Sequence, residues 1–145
     1  MGKGRNAIRQ GANMRPNLLV GQSNVKNAQD ELILFNFKFM DPNQGQTFIE
    51  WEKDGLLAQA FDVFKSYSSQ MMTSAKGSRF KSYPSFPPKE KTDYMHPKHV
   101  PEDALWSSMH LQGKPCVIGH IYRNVFYVVF LDRHHCFYKS QLKNT

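Results

Sequence analysis

The chain has 145 residues, a net charge of +7 and a pI of about 9.5. That length supports a core of about 110 residues once sparse tails are set aside, enough to fold unaided. The charge points either to a polyanionic partner, most simply nucleic acid, or to a solubilising positive surface. No apolar run approaches the roughly 20 residues of a membrane span, and the N-terminus has no hydrophobic signal core. A soluble, cytoplasmic protein without a membrane partner is expected.

Residues 1–29 hold only scattered apolar side chains, with Lys3, Arg5, Arg9 and Arg15 near the start. They read as a flexible basic arm preceding one α+β domain over 30–145. Residues 31–40 read as a first strand, with Ile33, Phe35, Phe37 and Phe39 on one face by the two-residue period and a turn at Asp41-Pro42-Asn43. Thr47 and Glu50 fit a capping box that opens a helix over 47–67. Its stripe is Leu57, Ala60, Phe61, Phe64 and Tyr67, with Phe61 and Phe64 expected in the core. Gly55 bends this helix or splits it in two.

Residues 76–103 carry Pro84, Pro87, Pro88, Pro97 and Pro101, a density that opposes both helix and central strand. A loop of that length is usually functional or mobile. Lys76, Arg79, Lys81, Lys89 and Lys91 alternate there with Phe80, Tyr83, Phe86 and Tyr94. Cations mixed with rings suit single-stranded nucleic acid, phosphates meeting charge and bases meeting rings. Equally, the rings can pin the loop to the body while the lysines face water.

From 105 to 138 the chain reads as an antiparallel meander of short segments rich in Val, Ile, Phe and Tyr. Arg123-Asn124 suits a two-residue turn, pairing Tyr122 with Val125, His120 with Tyr127 and Ile118 with Val129. The length of the break at Gln112-Gly113-Lys114-Pro115 decides whether His110 and His120 share a face: three or five loop residues put them together, four apart. Asp132-Arg133 is a further turn, followed by a last short strand over 134–138. Cys116 and Cys136 belong to no CxxC pair and are expected as reduced thiols. The fold expected is a small antiparallel sheet of four to five strands with one or two helices packed on a face.

Over 106–138 the pattern W-S-x-x-H-L-x-G-x-x-x-V-I, turn, V-F-Y-V-V, turn, H-H-x-x-Y resembles the central hairpin and final strand of the RelE/HigB kind of small ribonuclease toxins. The resemblance covers about a quarter of the chain. It implies an RNA-cleaving protein of toxin–antitoxin or phage-defence type, partnered by free or ribosome-bound RNA and by an antitoxin protein. Carried over by position, its active residues fall on His110, Arg123, His134, His135 and Tyr138. Where that family often has an arginine, Cys116-Val117 stand here, so the phosphate-binding role passes to Lys114, Arg133 or Lys139.

The chemistry justifies such a set. Cleaving RNA through its own 2′-hydroxyl needs a base for that hydroxyl, an acid for the leaving oxygen and a cation for the phosphorane charge. Histidines do the first two near neutral pH. The catalytic candidates are therefore His110, His120, Arg123, His134, His135 and Tyr138; the RNA-binding candidates are Lys76, Arg79, Lys81, Lys114, Arg133 and Lys139. His120 is as readily a structural histidine, and His96 and His99 read as surface residues. No cofactor and no metal are expected, since His96-x-x-His99 and His134-His135-Cys136 lack a second element with ligand spacing. The rival reading is a non-enzymatic nucleic-acid-binding or phage-encoded accessory protein; a third is a protein-interaction module using a sheet edge.

Overall fold

A computed structural model describes residues 31–140; the basic arm over 1–29 lies outside the described residues. Five strands form one sheet: β1 Leu34–Asn36, β2 Phe80–Ser82, β3 Leu105–His110, β4 Cys116–Tyr122 and β5 Val125–Asp132, in the order β1-β5-β4-β3-β2. Helices α1 Phe48–Lys53, α2 Leu57–Tyr67 and α3 Met72–Ala75 precede β2. The α+β class holds, but the sheet is mixed rather than wholly antiparallel, because β1 runs parallel to β5.

The first strand is far shorter than its alternation suggests. The Asn36 side chain accepts from the Lys38 amide at 2.8 Å and the Met40 amide donates to the Phe37 carbonyl at 3.1 Å, which turns the chain. Ile33, Phe35 and Phe37 stay on the helix side. Phe39 swings to the opposite face, against His120 and Tyr127.

The capping box forms as expected: the Glu50 amide donates to Thr47 Oγ1 at 3.1 Å and the Thr47 amide to Glu50 Oε1 at 2.8 Å. Gly55, at φ +73°, splits the helix. Phe64 and Ala60 are buried, whereas Phe61 is 52% exposed and only edges onto the Phe64 ring. Phe61 follows Ala60 by one residue, about 100° around the helix, and so leaves the sheet-facing stripe.

The meander turns at Arg123-Asn124 with Tyr122 opposite Val125 and His120 opposite Tyr127. Beyond that the expected register fails by one residue. Gly119 pairs with Val128 but Ile118 with Phe130, so Val129 bulges out and its carbonyl accepts from the Asp41 amide at 2.9 Å. Gly119 permits the close approach: a Cβ there would stand 2.1 Å from the Tyr127 carbonyl oxygen. The bulge resets the alternation. Val128 and Leu131 face the helices, while Val129 and Phe130 face the other side.

That other side is not open. The proline-rich stretch contributes β2, paired antiparallel with β3, and then folds across the sheet. Tyr83, Phe86 and Tyr94 pack with Trp106, Phe130 and Phe137 in a second apolar cluster, while Lys89 and Lys98 stay exposed. The rings pin the loop, as one of the two readings of this stretch has it. No strand forms over 134–138. Instead the buried Asp132 carboxyl accepts from the Cys136 amide at 3.0 Å, the Phe137 amide at 2.8 Å and the Tyr94 hydroxyl at 3.2 Å, curling the chain back over the sheet. Among the described residues no helix is long and apolar enough to cross a membrane.

Candidate functional site

His110 ends β3 and pairs with Cys116, which begins β4, so five residues lie between them. That loop length sets His110 and His120 on one face of the sheet. They remain about 13 Å apart along it, four residues at strand rise. His120 lies opposite Trp106 on β3.

The histidine that meets His110 is His135. Their ring centroids are 5.3 Å apart. His135 has φ +60°, a left-handed conformation uncommon outside glycine, and the two amides that follow it are the ones Asp132 binds. The turn thereby aims the imidazole back at the strand end. Cys116 Sγ stands 3.6 Å from His110 Nδ1 and 3.2 Å from the Lys114 carbonyl oxygen, to which the thiol can donate.

Two clefts, of ≈ 380 and ≈ 410 Å³, flank this pair and share His110, His135, Lys139 and Ser140. Lys81, Lys91, Tyr83 and Tyr138 line one; Lys114, His134 and Cys136 line the other. The Tyr83 and Tyr138 rings stack at 5.2 Å and 12°. Lys139 also bonds Asp93 at 2.8 Å, which holds the C-terminal segment beside the loop. Partial burial pushes His110 below the ordinary imidazole value, and His135, Lys81 and Arg79 push the same way. His110 is therefore neutral at pH 7 and able to accept a proton. Burial, with Asp132 nearby, pushes the Cys116 thiol up to about 12.

Of the candidate residues, this geometry gathers His110, His134, His135, Tyr138, Lys81, Lys114 and Lys139. Arg79 lies just behind them, its carbonyl accepting from the His110 amide at 2.8 Å and its guanidinium bonded to the Leu111 carbonyl. Four candidates stand elsewhere. Arg123 sits in the far turn, about 23 Å along β4 by strand rise, against the Tyr122 ring. Arg133 lines neither cleft: it pairs with Asp54 and its amide donates to Gln46 Oε1 at 2.6 Å, toward α1, while its Nε donates to Nε2 of the cleft residue His134 at 3.4 Å. Lys76 follows α3 and lines neither cleft. His120, only 4% exposed, lies between Trp106, Phe39 and Tyr127, where burial pushes it down to about 4.

His96 is not a surface residue either. It lies half-buried against Phe86 and Trp106, with Nδ1 bonded to the Pro97 carbonyl at 2.9 Å. His96 Nε2, Trp106 Nε1 and His120 Nε2 are buried without a hydrogen-bond partner among the described residues. Sequence reasoning passed over Asp132 and Cys116 as parts of the site. The sign that could have flagged Asp132 is a carboxylate ending an apolar strand just before a His-His pair. No protein-family model, curated protein or solved structure matches the chain.

Proposed function

We propose that the chain is a metal-independent ribonuclease that cleaves RNA through its 2′-hydroxyl, with His110 and His135 as the acid–base pair. The observation carrying this reading is the meeting of those two imidazoles between two lysine-lined clefts. His110, held neutral by its partly buried position, takes the 2′-hydroxyl proton; His135, on the turn, returns one to the leaving 5′-oxygen. Lys81, Lys114 and Lys139 supply positive charge where the phosphorane becomes more negative. The stacked Tyr83–Tyr138 pair offers a face for a neighbouring base.

Protonation requirements set the pH dependence. The rate should be bell-shaped, and its ascending limb should lie below the usual histidine value because His110 titrates there. The test is incubation of RNA with the protein in EDTA, with end analysis of the products. The reading expects 2′,3′-cyclic or 3′-phosphate ends and no cut at a position carrying a 2′-deoxy sugar. Cleavage at the deoxy position would refute it. Tight RNA binding without any cleavage by folded protein would support a second reading, a non-enzymatic RNA-binding protein using the same lysines and tyrosines.

A further inference from the structure

We propose that His110, Cys116 and His135 form a binding site for one thiophilic divalent transition-metal ion of the zinc class. One ligand atom from each residue lies within 4.8 Å of the other two. In a tetrahedral zinc site with bonds of about 2.0–2.1 Å to nitrogen and 2.3 Å to sulfur, a nitrogen–sulfur edge measures about 3.5 Å. His110 Nδ1 and Cys116 Sγ already stand 3.6 Å apart. Their separation follows from the cross-strand pairing of residues 110 and 116, so the backbone fixes it.

The third ligand comes from the turn. His135 keeps its left-handed backbone because Asp132 binds the two amides that follow, and closing on the metal needs only a small ring movement. A thiolate with two imidazoles is a donor set for zinc or copper rather than magnesium or calcium. The fourth position opens onto the clefts, where the lysines favour an anion or hydroxide. Binding releases the Cys116 thiol proton to solvent, so affinity should rise steeply with pH. The surrounding lysines oppose the incoming cation, but they are solvated and screened, whereas the ligand bonds are direct.

This site stands on geometry and goes beyond the cleavage reading. If that reading also holds, a bound metal occupies both imidazoles and zinc inhibits cleavage.

The test is titration of the full chain with Co²⁺, followed by displacement with Zn²⁺, with no RNA present. The expected result is one equivalent bound, with a thiolate-to-cobalt charge-transfer band that zinc abolishes. Cys116→Ser should remove the band, Cys136→Ser should keep it, and His135→Ala should weaken cobalt binding at least tenfold. His135 lies on a turn, so its variant reports even if Cys116→Ser fails to fold. No band with folded wild-type protein, a band surviving in Cys116→Ser, or unchanged affinity in His135→Ala would each overturn the proposal. Because the readout is binding alone, failure here leaves the cleavage reading untouched, and the reverse also holds.

Discussion

His110 and His120 stand on neighbouring strands and on one face of one sheet, yet their surroundings differ in kind. Around His120 the aromatic rings of Trp106, Phe39 and Tyr127 cover the imidazole, which is driven toward its neutral form. It stays 4% exposed at the edge of a cleft of ≈ 350 Å³ that holds no second histidine and only Lys38 as a cation. Around His110 the covering loop ends, and a second histidine with several lysines lines two clefts. Residue type alone therefore does not assign the role. A histidine beneath an aromatic cover contributes to the core and resists protonation; one at the margin of that cover, facing another imidazole, can exchange protons with a ligand. The covered end should govern stability and the open end function, so perturbing them one at a time should separate the two.

Truncation should give the largest contrast. Trp106 is 1% exposed and touches Phe86, His96, Phe130 and Phe137, so Trp106→Ala should destabilise by roughly 3–5 kcal/mol. His110→Ala, at the rim, should cost less than about 1 kcal/mol. Urea melts of the two variants decide it, and similar losses would erase the distinction.

Acid should act mainly through the covered end. His120 falls to about 4 when folded, from an ordinary 6.5, so the unfolded chain takes up its proton first. The contribution is whole above about pH 6.5 and is lost as pH falls from there to about 4, by at most about 3 kcal/mol. Comparing urea midpoints at pH 7 and pH 4.5, wild type should lose more stability than His120→Gln. Equal losses would mean that His120 is protonated without penalty.

Salt should probe the open end most gently. Each lysine neutralising a phosphate of single-stranded RNA contributes about −0.7 to the slope of log affinity against log salt. Replacing Lys81, Lys114 and Lys139 together by Ala should flatten that slope by about 2, while Lys76→Ala leaves it unchanged. An unaltered slope in the triple variant would clear the clefts of any phosphate role.

What could be read from the chain was what is decided over a few residues. The capping box at Thr47 and Glu50, the turn at Arg123-Asn124 and the pairing of His120 with Tyr127 all follow from short-range stereochemistry. What was not legible depends on contacts distant in sequence. The bulge at Val129 is tied to the Asp41 amide, the parallel seating of β1 to β5, and the folding of the 76–103 stretch to rings that find Trp106 and Phe137. The site divides in the same way. His110, His135, Tyr138 and the lysines were recognisable as chemistry-bearing residues, but the parity of His110 and His120 hung on one loop length. The approach of His135 hung on the hydrogen bonds of a buried Asp132 that periodicity does not reveal.

The most direct test compares RNA cleavage in EDTA by His135→Ala and His120→Gln, at a temperature where circular dichroism shows both folded. An acid–base pairing of His110 with His135 predicts that His135→Ala loses about a hundredfold or more, while His120→Gln stays within about threefold of wild type. Retained activity in His135→Ala, or a comparable loss in His120→Gln, would contradict it.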